Sequence, residues 1–375
     1  MASADPKLAK PLLAAILART LPGEIDGFGK DAQAQAVEFM IATAAKRSSG
    51  KSNVAVDTFA DASGRLAMRI ALINDDMPFL VDSVAAALAS ANVAIERLIH
   101  PVVDVERDAS GSLTSLSEKR GSTGKRESFI YVETSRIDAK ERRALADSLA
   151  AVLEDVRCAV TDWRKMQGAM SEDADSLPEG EGAALMRWFM DGAMTVLAHE
   201  RIMGDGEREA RLGLARSSDT ALLSDESVIR ARAFFAEGGQ APLILKSSRV
   251  STVHRSVQLD ILVVPVRDGD KIKGLGVTGG LWTSNALATP PERIPLLRTQ
   301  LSDLLTRYGF DPSGHAGKAM SHALTSLPHD LLVSFKQADL ERVTLTAMSL
   351  TDRPRPKLLA VRSALGRHVF VFVWL

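Results

Sequence analysis

The chain has 375 residues, 46 of them basic and 47 acidic, with 46% hydrophobic residues and a single cysteine. A length of this order predicts about two to three domains with sizeable cores, and the balanced charge supplies no global field toward nucleic acid or an anionic membrane. One cysteine excludes an intrachain disulfide and any multi-cysteine metal site, and no apolar run approaches the ~20 residues that span a bilayer.

The N-terminus MASADPKLAKPLLAAILART is interrupted by Pro6, Lys10 and Pro11, and reads as a short helix from Pro11, not a secretory signal. Asp31 to Lys46 is an amphipathic helix with Val37, Met40, Ile41 and Ala44 on one side, expected to pack on the next unit or on a neighbouring subunit. A strand-like run, Ala67 to Ile73, stops at Asn74, Asp75 and Asp76 and turns at Pro78. It restarts as a helix on Leu80, Val81, Val84, Leu88 and Ala91, which Asn92 ends before an extended run from Val93. Asp108 to Arg126, rich in Ser, Gly and charge, reads as a mobile hairpin connection. Ser128 to Thr134 is a strand, and Asp138 with Glu141 forms a capping box on a helix lined by Leu145, Leu149, Val152, Leu153 and Val156. A last strand at Cys158 to Trp163 would complete a ferredoxin-like βαββαβ unit over residues 51–166, with Cys158 a buried structural thiol.

Residues 167–182 then read as an interdomain linker, preceded by the N-terminal helices of 1–50 and the first unit. The middle α+β region, 183–325, opens on a Trp188/Phe189 helix, strands near Val196 to Ile202 and Arg211 to Ala215, and a helix at Ser224 to Ala236. Leu243 to Lys246, Gln258 to Val266 and Lys271 to Val277 follow as an antiparallel meander turned at Arg267, Asp268, Gly269 and Asp270. By element order alone it is similar to PAS-like or GAF-like sensor modules. Residues 326–375 spell strand Leu331 to Phe335, helix Asp339 to Leu350 and strands Lys357 to Arg362 and His368 to Leu375. That is an incomplete, truncated second βαββ unit, whose terminal strand is expected to pair with another copy or to be poorly ordered. The fold class is α+β.

Chemical motifs are sparse. Gly274, Gly276 and Gly279 match a dinucleotide fingerprint in GLGVTG, but the run follows a hairpin arm and no amphipathic helix opens before Pro290, so close backbone packing or a bulge is the better reading. The GHAGK run at Gly314 to Lys318 has Pro312 in place of the first P-loop glycine and Ala319 in place of the magnesium-binding hydroxyl. The seven histidines lack zinc-protease spacing, and no nucleophile elbow occurs. Two binding candidates remain. Asn74, Asp75, Asp76, Met77, Phe79 and Asp82 surround a helix N-terminus, where acids hold an ammonium and free N–H groups a carboxylate, or where Asp76 simply caps the helix. Lys246, Arg249, His254 and Arg255 form a basic cluster that converges on an anion if adjacent strands carry it, or else a charged sheet edge.

The order of DDMPFLVDSV, VHRSVQLD, GLWTSNA, IPLLRTQLSDLL and SLPHDLL along Val54 to Leu375 resembles the landmarks of the large bacterial NAD-dependent glutamate dehydrogenases. It departs from them at Leu287, Ala288 and His329. The resemblance implies ACT-type amino-acid-sensing folds ahead of a catalytic core that turns L-glutamate and NAD into 2-oxoglutarate, ammonia and NADH. On that footing this segment is a regulatory or oligomerisation region without catalytic residues, metal or cofactor of its own, NAD belonging to the parent enzyme. Its implied partners are an amino-acid effector at the acidic turn, other subunits of a homo-oligomer and the catalytic region of the same polypeptide, in the cytoplasm, with no nucleic acid and no membrane. The competing reading is a purely structural scaffold.

Overall fold

A computed structural model describes residues 5–19, 22–60, 64–118, 125–204, 206–217 and 221–375. The chain divides into two compact units, Met1–Val160 with Ser251–Ser256, and Thr161–Val250 with Val257–Leu375.

The first unit opens on helices α1 (Pro6–Arg19), α2 (Pro22–Ile25) and α3 (Lys30–Ala44). Its strands are β1 (Asn53–Ala60), β2 (Leu66–Asp75), β3 (Ile95–Ile99), β4 (Val102–Arg107), β5 (Leu113–Ser117) and β6 (Lys125–Ser135), with helix α4 (Leu80–Ser90) after β2 and α5 (Ala139–Asp175) after β6. They form one antiparallel sheet in the order β1-β2-β6-β4-β5, with β3 also pairing β6. Alternation divides the central strands between two faces. Ala71, Ile73, Phe129 and Tyr131 share a core with Leu12, Ile16, Val37, Met40 and Ile41, so the amphipathic helix packs on its own unit. Met68, Ile70, Leu72, Ile130 and Val132 face the other way and are equally buried, as are Leu80, Val84 and Leu88 of α4 and Leu145, Leu149 and Leu153 of α5. Burying each such side chain contributes about 1.5–3 kcal/mol.

Helix ends follow the local chemistry. Asn92 takes a left-handed φ of 55° behind α4, and the N–H of Val93 returns to the carbonyl of Leu88. Asp138 Oδ1 accepts from the N–H of Glu141 at 2.8 Å, and Glu141 Oε2 accepts from the N–H of Asp138 at 3.3 Å, a reciprocal capping box. Cys158 is buried and in no disulfide. In the expected mobile connection, β5 pairs with β4, and residues 119–124 lie outside the described residues.

Two expectations fail here for one reason. The strand at Cys158 to Trp163 and the linker from residue 167 are both helix, because α5 runs unbroken to Asp175. Leu149, Val152, Val156, Ala159, Asp162, Met166, Met170 and Asp173 are buried at steps of three or four, a helical period that continues straight through the β-prone stretch. The sheet edge beside β2, reserved for that strand, is filled by β1, which pairs with β2 over its whole length. The chain breaks only at Ser176, Pro178 and Gly180.

The second unit contains α6 (Glu181–Trp188), a π turn, β7 (Met194–Met203), β8 (Arg208–Gly213), α7 (Leu214–Ser217), α8 (Asp225–Ala236), β9 (Leu243–Val250), β10 (Gln258–Asp268) and β11 (Lys271–Trp282). Helices α9 (Ser284–Leu287), α10 (Leu297–Tyr308), α11 (His315–Thr325), α12 (His329–Leu332) and α13 (Gln337–Asp352) lead to β12 (Lys357–Arg362) and β13 (Val369–Trp374). The expected meander is the core of a five-stranded antiparallel sheet, β8-β7-β11-β10-β9, turned between β10 and β11 at Gly269 with φ 54°. Trp188, Phe189 and Trp282 pack with ring centroids 5.2–5.3 Å apart in a core that includes Leu301, Leu304, Met320, Leu332, Phe335, Leu340 and Val361.

Residues from 326 onward therefore share the core of the second unit. Leu331 to Phe335 is a short helix and turn after Pro328, not a strand, so the order is helix, helix, hairpin instead of βαββ. A five-residue apolar run has too few periods to separate the two. The terminal strand pairs with β12 within this chain. Leu359, Phe370 and Phe372 pack on the core, whereas Leu358, Val369, Val371 and Val373 are 56–64% exposed.

Candidate functional site

The acidic turn after β2 is built into an ion-pair network. Arg47 follows α3, and its guanidinium, 3% exposed, meets Asp75 at 2.6 Å and Glu127 of β6 at 2.6 Å. Arg107 of β4 holds both oxygens of Glu127 at 2.8 Å. Arg157 of α5 donates to Asp75 and to Asn74 Oδ1. Burial raises the Asp75 carboxyl, but hydrogen bonds from Arg47 and Arg157 outweigh it and hold its pKa below the usual carboxylate range. Each Asp75 oxygen thus already receives one protein guanidinium, while the side chain stays 31% exposed.

The other turn residues are less committed. Asp76 is exposed, accepts from Ser128 Oγ at 3.1 Å and lies 3.6 Å from Arg126. Phe79 precedes α4 with φ 72° and no side-chain cap, so the first N–H groups of the helix are without a capping oxygen. Asn74 is 1% exposed, and its Nδ2 finds no acceptor among the described residues. Met77 is half-buried.

One member of the basic cluster joins this turn. In the strap Ser251–Ser256, which belongs to the first unit, His254 adopts φ 67°. Its Nδ1 lies 3.0 Å from Asp82 Oδ2, its N–H donates to Ser83 Oγ at 2.9 Å, and its ring sits 5.2 Å from that of Phe79. Thr252 Oγ1 donates to Asp155 Oδ2 at 2.6 Å, fixing the strap to α5. Lys246, in the second unit, lies 2.7 Å from Asp260 and 2.6 Å from Asp330, and these acids outweigh burial to raise its pKa. Arg249 and Arg255 have partners of their own.

The glycine fingerprint does not fit a dinucleotide. Gly274, Gly276 and Gly279 lie inside β11, paired to β10 on one side and β7 on the other, with a register shift at Gly279/Gly280. A Cβ on Gly276 would stand 2.4 Å from Asp173 Oδ2, and one on Gly280 2.6 Å from the Thr195 carbonyl. These glycines therefore serve close packing and a bulge. Gly317 of the GHAGK run lies within α11 against the Asp311 carbonyl. Among the described residues no group of three His, Cys, Asp or Glu is placed to hold a metal, and no helix is long and apolar enough to cross a membrane.

Sequence reasoning missed two features. Arg47, Arg107, Glu127 and Arg157 come from four separate elements, and no local spacing announces their meeting. The second is a cavity of about 1360 Å³ in the second unit, lined by residues of the α5–α6 loop, the segment before β9, α10 and the turn into α13.

Comparison with known proteins agrees with the pattern read from the residues. Residues 12–149 match the family model "Glutamate dehydrogenase, ACT1 domain", and residues 294–353 match "Glutamate dehydrogenase, helical motif 1". The chain belongs to the large NAD-dependent glutamate dehydrogenase family. It is 29% identical over 339 residues to the NAD-specific glutamate dehydrogenase of Pseudomonas aeruginosa and 25% identical over 331 residues to that of Halomonas elongata. Each match covers 81% of this chain and 20% of the relative, so the chain spans about a fifth of the length of these glutamate dehydrogenases. A solved structure of an RNA-binding light-oxygen-voltage receptor aligns with 78% of this chain and 90% of its own at 12% identity, and its TM-score of 0.18 supports no argument. The ACT1 match spans β1 to β6, both helix-bearing faces of the sheet and the acidic turn.

Proposed function

We propose that this chain is a non-catalytic regulatory and assembly region of a cytoplasmic, homo-oligomeric glutamate dehydrogenase. In the full protein, L-glutamate would be oxidised by NAD to 2-oxoglutarate and ammonia. The observation that carries the non-catalytic reading is the burial of GLGVTG in a doubly paired strand, with Gly276 hard against Asp173. Residues so placed cannot wrap a pyrophosphate, which needs a loop opening onto a helix N-terminus.

The regulatory reading places an amino-acid effector at the start of α4. Its carboxylate would take the uncapped N–H groups, and its ammonium would face Asp76 and Asp82, with Asp75 reserved for the ion pairs that shape the turn. The scaffold reading is favoured by that same pairing of Asp75 and Glu127, which stiffens the turn without any ligand. Thermal-shift titration with the common amino acids, glutamate and NAD separates them. Stabilisation by one amino acid, lost in Asp76→Ala/Asp82→Ala, supports the effector site. Absence of any response at millimolar ligand supports the scaffold, and saturable NAD binding would overturn the non-catalytic reading.

A further inference from the structure

The cavity of the second unit has a divided lining. Its floor is apolar, formed by Leu243, Ile244, Val333 and Phe335, all buried. Four polar groups around it are not neutralised by the protein. Arg267 and Lys336 are exposed cations without an ion-pair partner among the described residues, and Asp303 is an exposed acid of which the same holds. The fourth is Gln300. Its Nε2 donates to the Phe335 carbonyl at 3.0 Å, which fixes the amide and leaves the buried Oε1 with no donor among the described residues. Glu181, also in the lining, is consumed by Arg298 at 2.7 Å and by the N–H of Leu296 at 2.8 Å.

Unpaired Arg and Lys suit a carboxylate, Asp303 an ammonium, and the floor an apolar body. The volume of about 1360 Å³ exceeds the ~300–1,000 Å³ of ordinary small-molecule pockets, which favours several linked residues over one amino acid. Close approach is built in, since a Cβ on Gly182 would lie 2.0 Å from the Ala241 carbonyl on the rim.

We propose that this cavity binds a short apolar peptide, its terminal carboxylate held by Arg267 and Lys336 and its terminal ammonium by Asp303. The site goes beyond the reading given above and does not depend on the turn of the first unit. Calorimetry of the whole chain with leucyl-alanyl-phenylalanine, its C-terminal amide and free leucine tests it. The expected result is saturable tripeptide binding, at least about tenfold weaker for the amide, at least tenfold weaker in Arg267→Ala/Lys336→Ala, and unchanged in Asp76→Ala/Asp82→Ala. Both cations are exposed, so the variant keeps the fold, which a matching melting temperature verifies. Free leucine binding as tightly as the tripeptide overturns the peptide assignment. Absence of binding, or binding indifferent to the Arg267/Lys336 change, overturns the site.

Discussion

Burial shifts Asp173, on α5 against Gly276 of β11, and His199 of β7 in opposite directions, so each leaves its own signature in stability against pH. Asp173 is 3% exposed, its Oδ2 has no partner among the described residues, and Arg201 stands 3.5 Å from Oδ1. Burial pushes its pKa from 3.8 to about 6, against the opposing pull of Arg201. Below pH 3.8 the carboxyl is neutral in the folded and unfolded chain alike, and its contribution is complete. As pH rises from there through about 6, the unfolded state releases its proton first and the contribution is lost. A displacement of that size amounts to about 3 kcal/mol. Asp173→Asn keeps the shape and abolishes the titration. The variant is expected to match the parent at pH 3.5 and to exceed it by up to about 3 kcal/mol at pH 8. His199, fully buried with Nδ1 3.0 Å from Thr278 Oγ1, is held down to about 4 from 6.5 by burial and then by Arg201. Its contribution is present above pH 6.5 and lost as pH falls toward 4, so His199→Gln should gain on the parent only in acid. Urea unfolding followed by circular dichroism at pH 3.5, 6 and 8, with constant m-value, reads both. An Asp173→Asn difference that is flat across this range, or largest in acid, would refute the reasoning.

Glu127, 1% exposed on its side chain and held by Arg47 and Arg107, should cost about 3–5 kcal/mol when changed to Ala, because two guanidinium groups lose their partner; denaturant unfolding checks this, and a loss under about 1 kcal/mol would count against the network. Gly276→Ala is expected to destabilise by about 1–3 kcal/mol through contact with Asp173, and the loss should shrink when Asp173→Ala is combined with it, as a double-mutant cycle would report. Asp138→Ala, which opens the capping box on α5, should cost about 1 kcal/mol, measured as a fall in urea midpoint.

What was legible in the sequence was local. The Asp138/Glu141 box, the stop at Asn92, the α3 stripe and the turn at Gly269 each depend on residues within one or two turns of one another, where capping chemistry and period decide the outcome. The errors came where two local rules compete. Cys158 to Trp163 carries β-prone residues, yet Val156, Ala159, Asp162 and Met166 prolong the helical stripe, and burial of that stripe won over propensity. At Leu331 to Phe335, Leu332, Val333 and Phe335 are buried and Leu331 and Ser334 half-buried, and so short a run carries no clean alternation to read.

The acidic turn illustrates a different limit. Acids beside a helix start look the same in sequence whether they await a ligand or are already paired, since the deciding cations lie far along the chain: Arg47 is 28 residues from Asp75, and Arg157 is 82. The structure separates them by counting partners. Asp75 receives two guanidinium groups, whereas Asp82 receives one imidazole from the strap 172 residues away, and more than half of its side chain stays exposed. These residues lie in the runs DDMPFLVDSV and VHRSVQLD, yet nothing local pairs His254 with Asp82 and Phe79. Their meeting makes the outer rim of the turn, not its base, the part of the ACT-type unit open to exchange with solvent. An imidazole half-covered and shared with an exposed carboxylate is a weak contact in water. A ligand competing for Asp82 therefore has to displace only that contact, while one competing for Asp75 would have to break a buried network.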